Sequence, residues 1–107
     1  MTHLSTHVLD AVSGRPAAGV TVTLTDAAGA TLATAATDED GRIASIADPL
    51  PAGIYRLTFD TGAYFAEREV PTFYPEVIIA FDIADADGKY HVPVLLSPYA
   101  YSTYRGS

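Results

Sequence analysis

Short segments in which apolar and polar residues alternate constrain the fold of this chain more than any other feature. The clearest is Val20-Thr-Val-Thr-Leu-Thr25, whose strict alternation predicts a strand with one buried face. The same period of two runs through Leu4–Asp10 and Ile54–Asp60, and turn residues such as Asp26-Ala-Ala-Gly29 follow such segments. The pattern therefore predicts an all-β protein.

The rest of the chain continues this pattern with one interruption. Further strands are predicted at Thr31–Thr37, Ile43–Ile46, Glu76–Ile83, Lys89–Leu96 and from Tyr99 to Tyr104. The interruption is Gly62–Glu69, which has the alanine, glutamate and arginine content of a short helix, with Thr61 as its cap and Pro71 as its stop. Seven or eight short strands and one helix predict a two-sheet β-sandwich, and we expect residues 1–107 to form a single domain.

Two turns of the type Asp-x-Asp-Gly are predicted to close hairpins. Asp38-Glu-Asp-Gly41 precedes the strand at Ile43. Asp85-Ala-Asp-Gly88 precedes Lys89–Leu96, which we expect to return antiparallel to the strand before it. Neither turn fits a calcium loop, because the EF-hand pattern places glycine sixth and glutamate twelfth, whereas glycine is fourth here.

Composition limits the classes of function. The chain has 107 residues, of which 49% are hydrophobic and 18% charged, so a packed core is expected. A net charge of −7 argues against nucleic acid and anionic membrane surfaces as partners, and the absence of cysteine excludes disulfides and thiolate chemistry. The longest apolar run, Val77–Phe81, is too short to span a bilayer, and residues 1–3 lack the character of a secretory signal. We therefore expect a cytoplasmic protein.

The parity of three predicted strands groups several side chains on one face. In Lys89–Leu96 the alternating apolar residues make the better core face, so His91 points away from the core. The same reasoning applies to the first strand and to the terminal strand. If these strands join one sheet, its outer face carries His7, His91, Ser102 and Tyr104, with Leu9 and Leu95 beside them. A partly apolar face of this kind is typical of an interface or a ligand groove.

Two histidines on one predicted face are suited to acid–base chemistry. Imidazole titrates near neutral pH, so His7 or His91 can serve as a general base, whereas His3 is assigned to the surface. Arg42 follows a turn and offers a planar fork of donors to an anion. Zinc binding is the other use of paired histidines, but it needs a third ligand, and this face has no cysteine or acid. The ordinary explanations are that His7 and His91 are half-buried histidines of their strands and that Arg42 is a polar residue after a turn.

The chain ends on polar residues directly after a predicted strand. Arg105-Gly106-Ser107 supplies a cation, a backbone that permits close approach and a hydroxyl. These groups favour polar contacts with a ligand. The simpler alternative is a solvated edge strand with an ordinary terminus.

Several motifs together resemble the 5-hydroxyisourate hydrolases, the transthyretin-related proteins of urate breakdown. They are Thr6-His-Val-Leu-Asp10, Thr37-Asp-Glu-Asp-Gly-Arg42, Phe59-Asp-Thr-Gly-Ala-Tyr-Phe65, Phe73-Tyr-Pro-Glu-Val77 and Tyr90-His-Val-Pro-Val-Leu-Leu-Ser-Pro-Tyr99, which leads into Tyr101-Ser-Thr-Tyr-Arg-Gly-Ser107. The terminal Tyr-Arg-Gly-Ser is the most specific element. Transthyretin, the hormone carrier of the same fold, shares the Leu-Leu-Ser-Pro-Tyr approach but lacks this ending and the histidines.

The resemblance implies a fold, an assembly and a reaction. It implies a transthyretin-like sandwich of eight strands and one short helix, assembled as a homotetramer, a dimer of dimers, with active sites where the dimers meet. The implied reaction is hydrolysis of 5-hydroxyisourate to 2-oxo-4-hydroxy-4-carboxy-5-ureidoimidazoline without a metal or organic cofactor. The implied catalytic residues are His7, Arg42 and His91, and the implied substrate-binding residues are Tyr104, Arg105, Gly106 and Ser107.

A ligand carrier is the alternative of a different class. Valine-rich strands and Asp-Gly turns also suit transthyretin-like carriers and the small sandwich domains appended to larger enzymes. Two histidines on one face argue against it, because a carrier needs none. The appearance of an optically active product in a fresh substrate solution distinguishes a hydrolase from a carrier, since a carrier binds its ligand without converting it.

Overall fold

Two β-sheets and one short helix make up the protein, in a computed structural model that describes residues 1–107. The strands are β1 (His3–Asp10), β2 (Arg15–Pro16), β3 (Thr21–Asp26), β4 (Thr31–Ala36), β5 (Arg42–Ile43), β6 (Gly53–Phe59), β7 (Val77–Ile83), β8 (Lys89–Ser97) and β9 (Ala100–Thr103). The helix α1 spans Thr61–Glu67. The predicted two-sheet sandwich with one helix is therefore confirmed, and the strand count is nine because two segments of only two residues also pair.

The first sheet brings the two ends of the chain together. Its strand order is β2-β1-β8-β9, and β5 pairs with β1 on the same side as β2. The pairing of β1 with β8 is parallel and runs from His3 opposite Lys89 to Asp10 opposite Leu96. The second sheet has the order β4-β3-β6-β7, and all of its pairs are antiparallel. The condition for a shared outer face, that the first and last strands join one sheet, is therefore met.

The core lies between the sheets and is built from the residues whose parity predicted burial. The predicted inward side chains are buried, and they are Leu4, Thr6 and Val8 of β1, Val22 and Leu24 of β3, Tyr55, Leu57 and Phe59 of β6, and Tyr90, Val92, Val94 and Leu96 of β8. The apolar members belong to one cluster of 19 buried residues. Burial of each large apolar side chain contributes on the order of 1.5–3 kcal/mol, and this burial fixes which face of every strand points outward.

Two of the predicted hairpins do not form, although both turns do. The turn at Asp38–Gly41 leads from β4 in the second sheet to β5 in the first, and the turn at Asp85–Gly88 leads from β7 to β8 in the same way. The expected antiparallel pairing of β8 with the preceding strand is therefore wrong. An Asp-Gly turn reverses the chain locally, but β8 buries both its edges by pairing with β1 and β9.

The helix begins and ends earlier than the sequence pattern predicts. Asp60 is the cap, because its carboxylate accepts a hydrogen bond from the backbone N–H of Ala63 at 3.2 Å, so Thr61 is the first helical residue. Arg68 closes the helix, and Glu69 has a φ of 58°, which lies outside the right-handed helical region. The helix thus stops before Glu69, ahead of Pro71. It has far too few residues to span a bilayer, and the protein contains no other helix.

A buried hydrogen bond ties the helix to the end of β1. The Tyr64 hydroxyl donates to Oδ2 of Asp10 at 2.9 Å, and Oδ1 of the same carboxylate accepts from the N–H of Val12 at 2.9 Å. The Arg68 guanidinium lies 3.7 Å from the centre of the Tyr64 ring. Burial, together with the hydrogen bond to Asp10, raises the pKa of Tyr64 to about 12. This contact fixes the helix against the first sheet.

Candidate active site

A tight turn presents Arg42 to the outer face of the first sheet, which is the face directed away from the second sheet. The carboxylate of Asp38 accepts from the N–H groups of Asp40 at 2.9 Å and Arg42 at 3.0 Å, and its backbone closes the turn with Gly41 and Arg42. Gly41 has a φ of 73°, and a side chain there would collide with the carbonyl of Val8. The turn is therefore held rigidly against β1, with the Arg42 side chain exposed.

Strand register then sets Arg42 beside His7. The two residues are partners in the antiparallel pair of β1 with β5, and the neighbouring pair, Thr6 with Ile43, points inward and is buried. Side chains of directly opposed residues lie on the same face. An imidazole and a guanidinium are consequently neighbours on the outer face.

The same rule brings the second histidine to this face from β8. His91 is the parallel partner of Ser5, and Nδ1 of its ring lies 2.8 Å from the Ser5 hydroxyl oxygen. His7 stands opposite Pro93, one outward position further along the same strands. Ser5, His7 and His91 therefore form a compact triangle across two adjacent strands.

The carboxy-terminal tail passes directly against His91. The N–H of Gly106 donates to the His91 carbonyl oxygen at 2.8 Å, and the two residues form an isolated antiparallel bridge. A Cβ at residue 106 would lie 2.5 Å from Cδ2 of the His91 ring and 3.2 Å from Cγ of Pro93. Only glycine permits the tail to lie this close to the histidine.

These elements enclose an open groove of about 480 Å³ on the outer face. The groove is lined by His3, Ser5, Arg42, Lys89, Tyr90, His91 and Ser107. Although the chain carries a net charge of −7, two of its six Lys and Arg side chains and two of its three histidines line this groove, and no Asp or Glu side chain does. The groove is therefore suited to an electron-rich, hydrogen-bonding ligand. His7 lies at its margin and not among the lining residues.

The environment of His91 favours its neutral form. Burial is the largest cause that lowers the pKa of His91 below its usual value, and the positive charges of Arg42 and His7 lower it further. A hydrogen bond to the backbone of Ser5 acts in the opposite direction. Near neutral pH the ring consequently retains a lone pair that can accept a proton.

Two of the predicted tail residues lie on the other side of His91. Tyr104 and Arg105 line a second cavity of about 290 Å³, which shares Tyr90 and His91 with the groove and whose opposite wall is β7, including Ile79 and Phe81. The Arg105 guanidinium lies 4.8 Å from the centre of the Tyr90 ring and donates to the Lys89 carbonyl at 3.5 Å. Tyr104 has 61% of its surface exposed and is not among the residues that line the groove. Of the four predicted tail residues, Ser107 lines the groove and Gly106 pairs with His91.

Four groove residues, His3, Ser5, Lys89 and Tyr90, were not predicted as site residues from the sequence, and Tyr90 was expected to face the core. Ser5 and His3 share the outward parity of His7, and Lys89 shares that of His91, so the signal was present in the alternation. His3 was assigned to the surface because it has no neighbouring histidine in the sequence. The parallel register of β1 and β8, which opposes His3 to Lys89, is the information that was missing.

Comparison with known proteins agrees with this architecture. A sequence model of the HIUase/Transthyretin family matches residues 4–106. The 5-hydroxyisourate hydrolase of Salmonella dublin is 47% identical over 109 residues, which covers 97% of this chain and 80% of that protein. The solved structure of Klebsiella pneumoniae 5-hydroxyisourate hydrolase superposes with a TM-score of 0.92 at 46% identity and covers 100% of this chain and 94% of its own.

A transthyretin is also similar in structure. The structure of transthyretin from Sparus aurata gives a TM-score of 0.90 at 34% identity, covering 96% of this chain and 95% of its own. Fold and outer-face groove together define a transthyretin-like β-sandwich. The chain belongs to the HIUase/Transthyretin family. Its identity of 46–47% to hydrolases over almost the whole chain makes it an enzyme of the hydrolase class.

Proposed function

We propose that the protein hydrolyses 5-hydroxyisourate to 2-oxo-4-hydroxy-4-carboxy-5-ureidoimidazoline in the degradation of urate. The hydrolase names of its relatives support the substrate. The observation that carries the proposal is the register of β1, which opposes His7 to Arg42 and Ser5 to His91 on one face. A base and a cationic hydrogen-bond donor thus stand beside the same groove.

An imidazole activates the water in this scheme. His91 is the better candidate for the base, because its lowered pKa keeps it neutral and its ring lines the groove. The water oxygen bonds to a ring carbonyl carbon while one water proton passes to the imidazole. The ring C–N bond then breaks, and the same proton is returned to the departing nitrogen. His7, at the margin of the groove, orients the water or the substrate.

Arg42 stabilises the negative charge that develops on the attacked carbonyl oxygen. Its guanidinium is a planar fork of donors, and its backbone is fixed by the Asp38 turn, so little reorganisation is needed during the reaction. No acidic side chain lines the groove to compete for the guanidinium. The scheme uses only water and protein side chains and needs no metal or organic cofactor.

In this proposal the tail residues bind the substrate, two of them at the groove and two of them farther from it. Ser107 lines the groove and offers its hydroxyl, and Gly106 lets the chain approach His91. Tyr104 and Arg105 lie across His91 from Arg42, so they contact a ligand only at the border of the groove or across a subunit interface.

We also propose that the groove is completed in a homotetramer, a dimer of dimers. The opposed pair Leu9 and Leu95 gives the outer face an apolar strip, and both residues are half-buried in the single chain. The strands β7 and β9 are unpaired sheet edges, and Ile78 and Tyr101 on them are 49% and 41% exposed. Exposed apolar edges are typically covered by another chain.

Freshly generated 5-hydroxyisourate tests the proposed activity. The protein should accelerate the loss of its ultraviolet absorbance and produce an optically active product, which circular dichroism detects. His91→Asn should abolish the acceleration while leaving the fold and the oligomer intact. Arg56→Gln, on the outer face of the second sheet, is the matched control and should retain full activity. Binding without any optical activity in the product would instead identify a carrier.

A further inference from the structure

The ring of His91 is held on both flanks by residues that are not themselves bases. On the β1 side, the Ser5 hydroxyl oxygen lies 2.8 Å from Nδ1. On the tail side, the Cα of Gly106 packs against Cδ2 and Cγ, close enough that a Cβ would lie 2.5 Å and 3.1 Å from them. With Nδ1 and Cδ2 both occupied, the edge formed by Nε2 and Cε1 is the part of the ring that remains free.

The contact with Ser5 decides which nitrogen carries the proton of the neutral ring. A neutral imidazole has one donor nitrogen and one acceptor nitrogen, and the hydrogen bond made by one sets the state of the other. The Ser5 hydroxyl oxygen, 2.8 Å from Nδ1, can accept a hydrogen bond from Nδ1–H. A proton on Nδ1 leaves the lone pair on Nε2.

We propose that Ser5 is a positioning residue for His91, whose hydroxyl anchors Nδ1–H so that the lone pair of Nε2 faces the groove. The inference rests on the proposed role of His91 as the base. It adds a residue whose side chain is not required to touch the substrate. The arrangement resembles any histidine base that is oriented through its other nitrogen by a second group.

A structural role does not account for the Ser5 hydroxyl. The pairing of β1 with β8 is reinforced by the neighbouring Thr6, whose buried hydroxyl donates to the Val92 carbonyl at 2.6 Å. Ser5 itself is half-buried, and its hydroxyl makes no hydrogen bond other than that to His91. Removal of the Ser5 hydroxyl therefore leaves the strand pairing and the core unchanged.

The test combines kinetics with the nitrogen spectrum of the ring. In protein labelled with ¹⁵N-histidine, Ser5→Ala should move the Nδ1 and Nε2 resonances of His91 toward a mixture of tautomers. The same variant should lower kcat by roughly 10–100-fold with little change in KM, by analogy with the loss of a hydrogen-bonding partner of a metal-bound histidine. Ser5→Thr, which keeps the hydroxyl, should restore both. Ser102→Ala on β9 is the control and should change neither.

The outcomes separate this inference from the proposed function. Unchanged His91 resonances in Ser5→Ala would overturn the positioning role, and so would changed resonances with an unchanged kcat. A His91→Asn protein that kept its activity would overturn the proposed function instead. Loss of kcat in Ser5→Ala without recovery in Ser5→Thr would also contradict the role of the hydroxyl.

Discussion

His7 and Arg42 are directly opposed in the antiparallel pair of β1 with β5, so an imidazole and a guanidinium lie side by side on the outer face of the first sheet. Arg42 owes its place to the Asp38 turn, and His7 owes its place to the buried alternate residues of β1. Because different contacts fix the two side chains, each can be altered without disturbing the other. This independence allows the contributions to the reaction to be measured singly.

Loss of the guanidinium should impair the chemical step. Arg42→Gln is expected to lower kcat by roughly 10²–10³-fold, the effect of removing one donor to a developing oxyanion. The side chain is exposed, so the melting temperature should stay near that of the wild type. Arg42→Lys should recover only part of the rate, because an ammonium lacks the planar fork. Steady-state kinetics provide the measurement, with Arg56→Gln as the control. A full rate in Arg42→Gln would contradict the proposal.

The pKa of His91 should respond to the charge of Arg42. Since that cation helps to lower the pKa, Arg42→Gln should raise it toward the usual value of 6.5. Protonation of the base ends activity, so a higher pKa of His91 makes activity disappear at a higher pH. The acid limb of kcat/KM should lie below pH 6.5 in the wild type and move to higher pH in the variant.

Titration of the ring protons by NMR checks this shift without using activity. His91→Asn identifies the resonances among the three histidines of the chain. Arg56→Gln, which removes a cation from the far sheet, should leave the midpoint of His91 unchanged. A midpoint that did not move in Arg42→Gln would show that the two side chains do not interact in solution.

A single methyl group on the tail should disturb the ring of His91. In Gly106→Ala the new Cβ would lie 2.5 Å from Cδ2, so either the ring or the tail must move. We expect kcat to fall by at least about tenfold, because small errors in placing a base are costly. The core is untouched, so the free energy of unfolding should change little. Deletion of Gly106 and Ser107 should cause a larger loss, whereas Ser102→Ala should cause none.

The hydroxyl of Tyr64 should matter for stability and not for catalysis. Tyr64→Phe removes the donor to Oδ2 of Asp10 and leaves a buried carboxylate oxygen without that partner. The expected loss in the free energy of unfolding is about 1–3 kcal/mol. Urea denaturation measures it, and Tyr99→Phe, at a residue with 69% exposure, is the matched control. An unchanged midpoint would show that the contact contributes nothing net.

A charge on the outer-face apolar strip should disrupt the proposed assembly without changing the fold of the chain. Leu95→Glu introduces a carboxylate beside Leu9, which costs much more free energy if another chain covers this half-buried face. Sedimentation should then show a smaller oligomer, with an unchanged circular dichroism spectrum and a reduced kcat. The equivalent change at the exposed Leu32 of β4 should leave the oligomer intact. A variant of normal size and activity would refute an interface at this face.

Local sequence patterns predicted most of the fold. Alternation in β1, β3, β6 and β8 predicted the buried faces because burial of apolar side chains dominates strand orientation. The same alternation placed His7 and His91 outward, and the structure agrees. The catalytic roles of these residues stay predictions until the variants are measured.

The partners of the strands could not be predicted, because they depend on long-range contacts. Nothing near Asp85–Gly88 indicates that β8 crosses to the other sheet and pairs parallel with β1. For the same reason the contact of Ser5 with His91 was missed. The cap at Asp60 differs from the expected Thr61 by one residue, which is the usual uncertainty at helix ends.

The parallel pairing of β1 with β8 has a consequence for biosynthesis. Ser5 and His91 are 86 positions apart, so the groove joins two segments that leave the ribosome at different times. While the ribosome is still adding β8, β1 has no permanent neighbour on that side, and contacts of such long separation form slowly. A partly translated chain can hold His7 and Arg42 together through β5, yet it gains the second imidazole only after β8 has been translated.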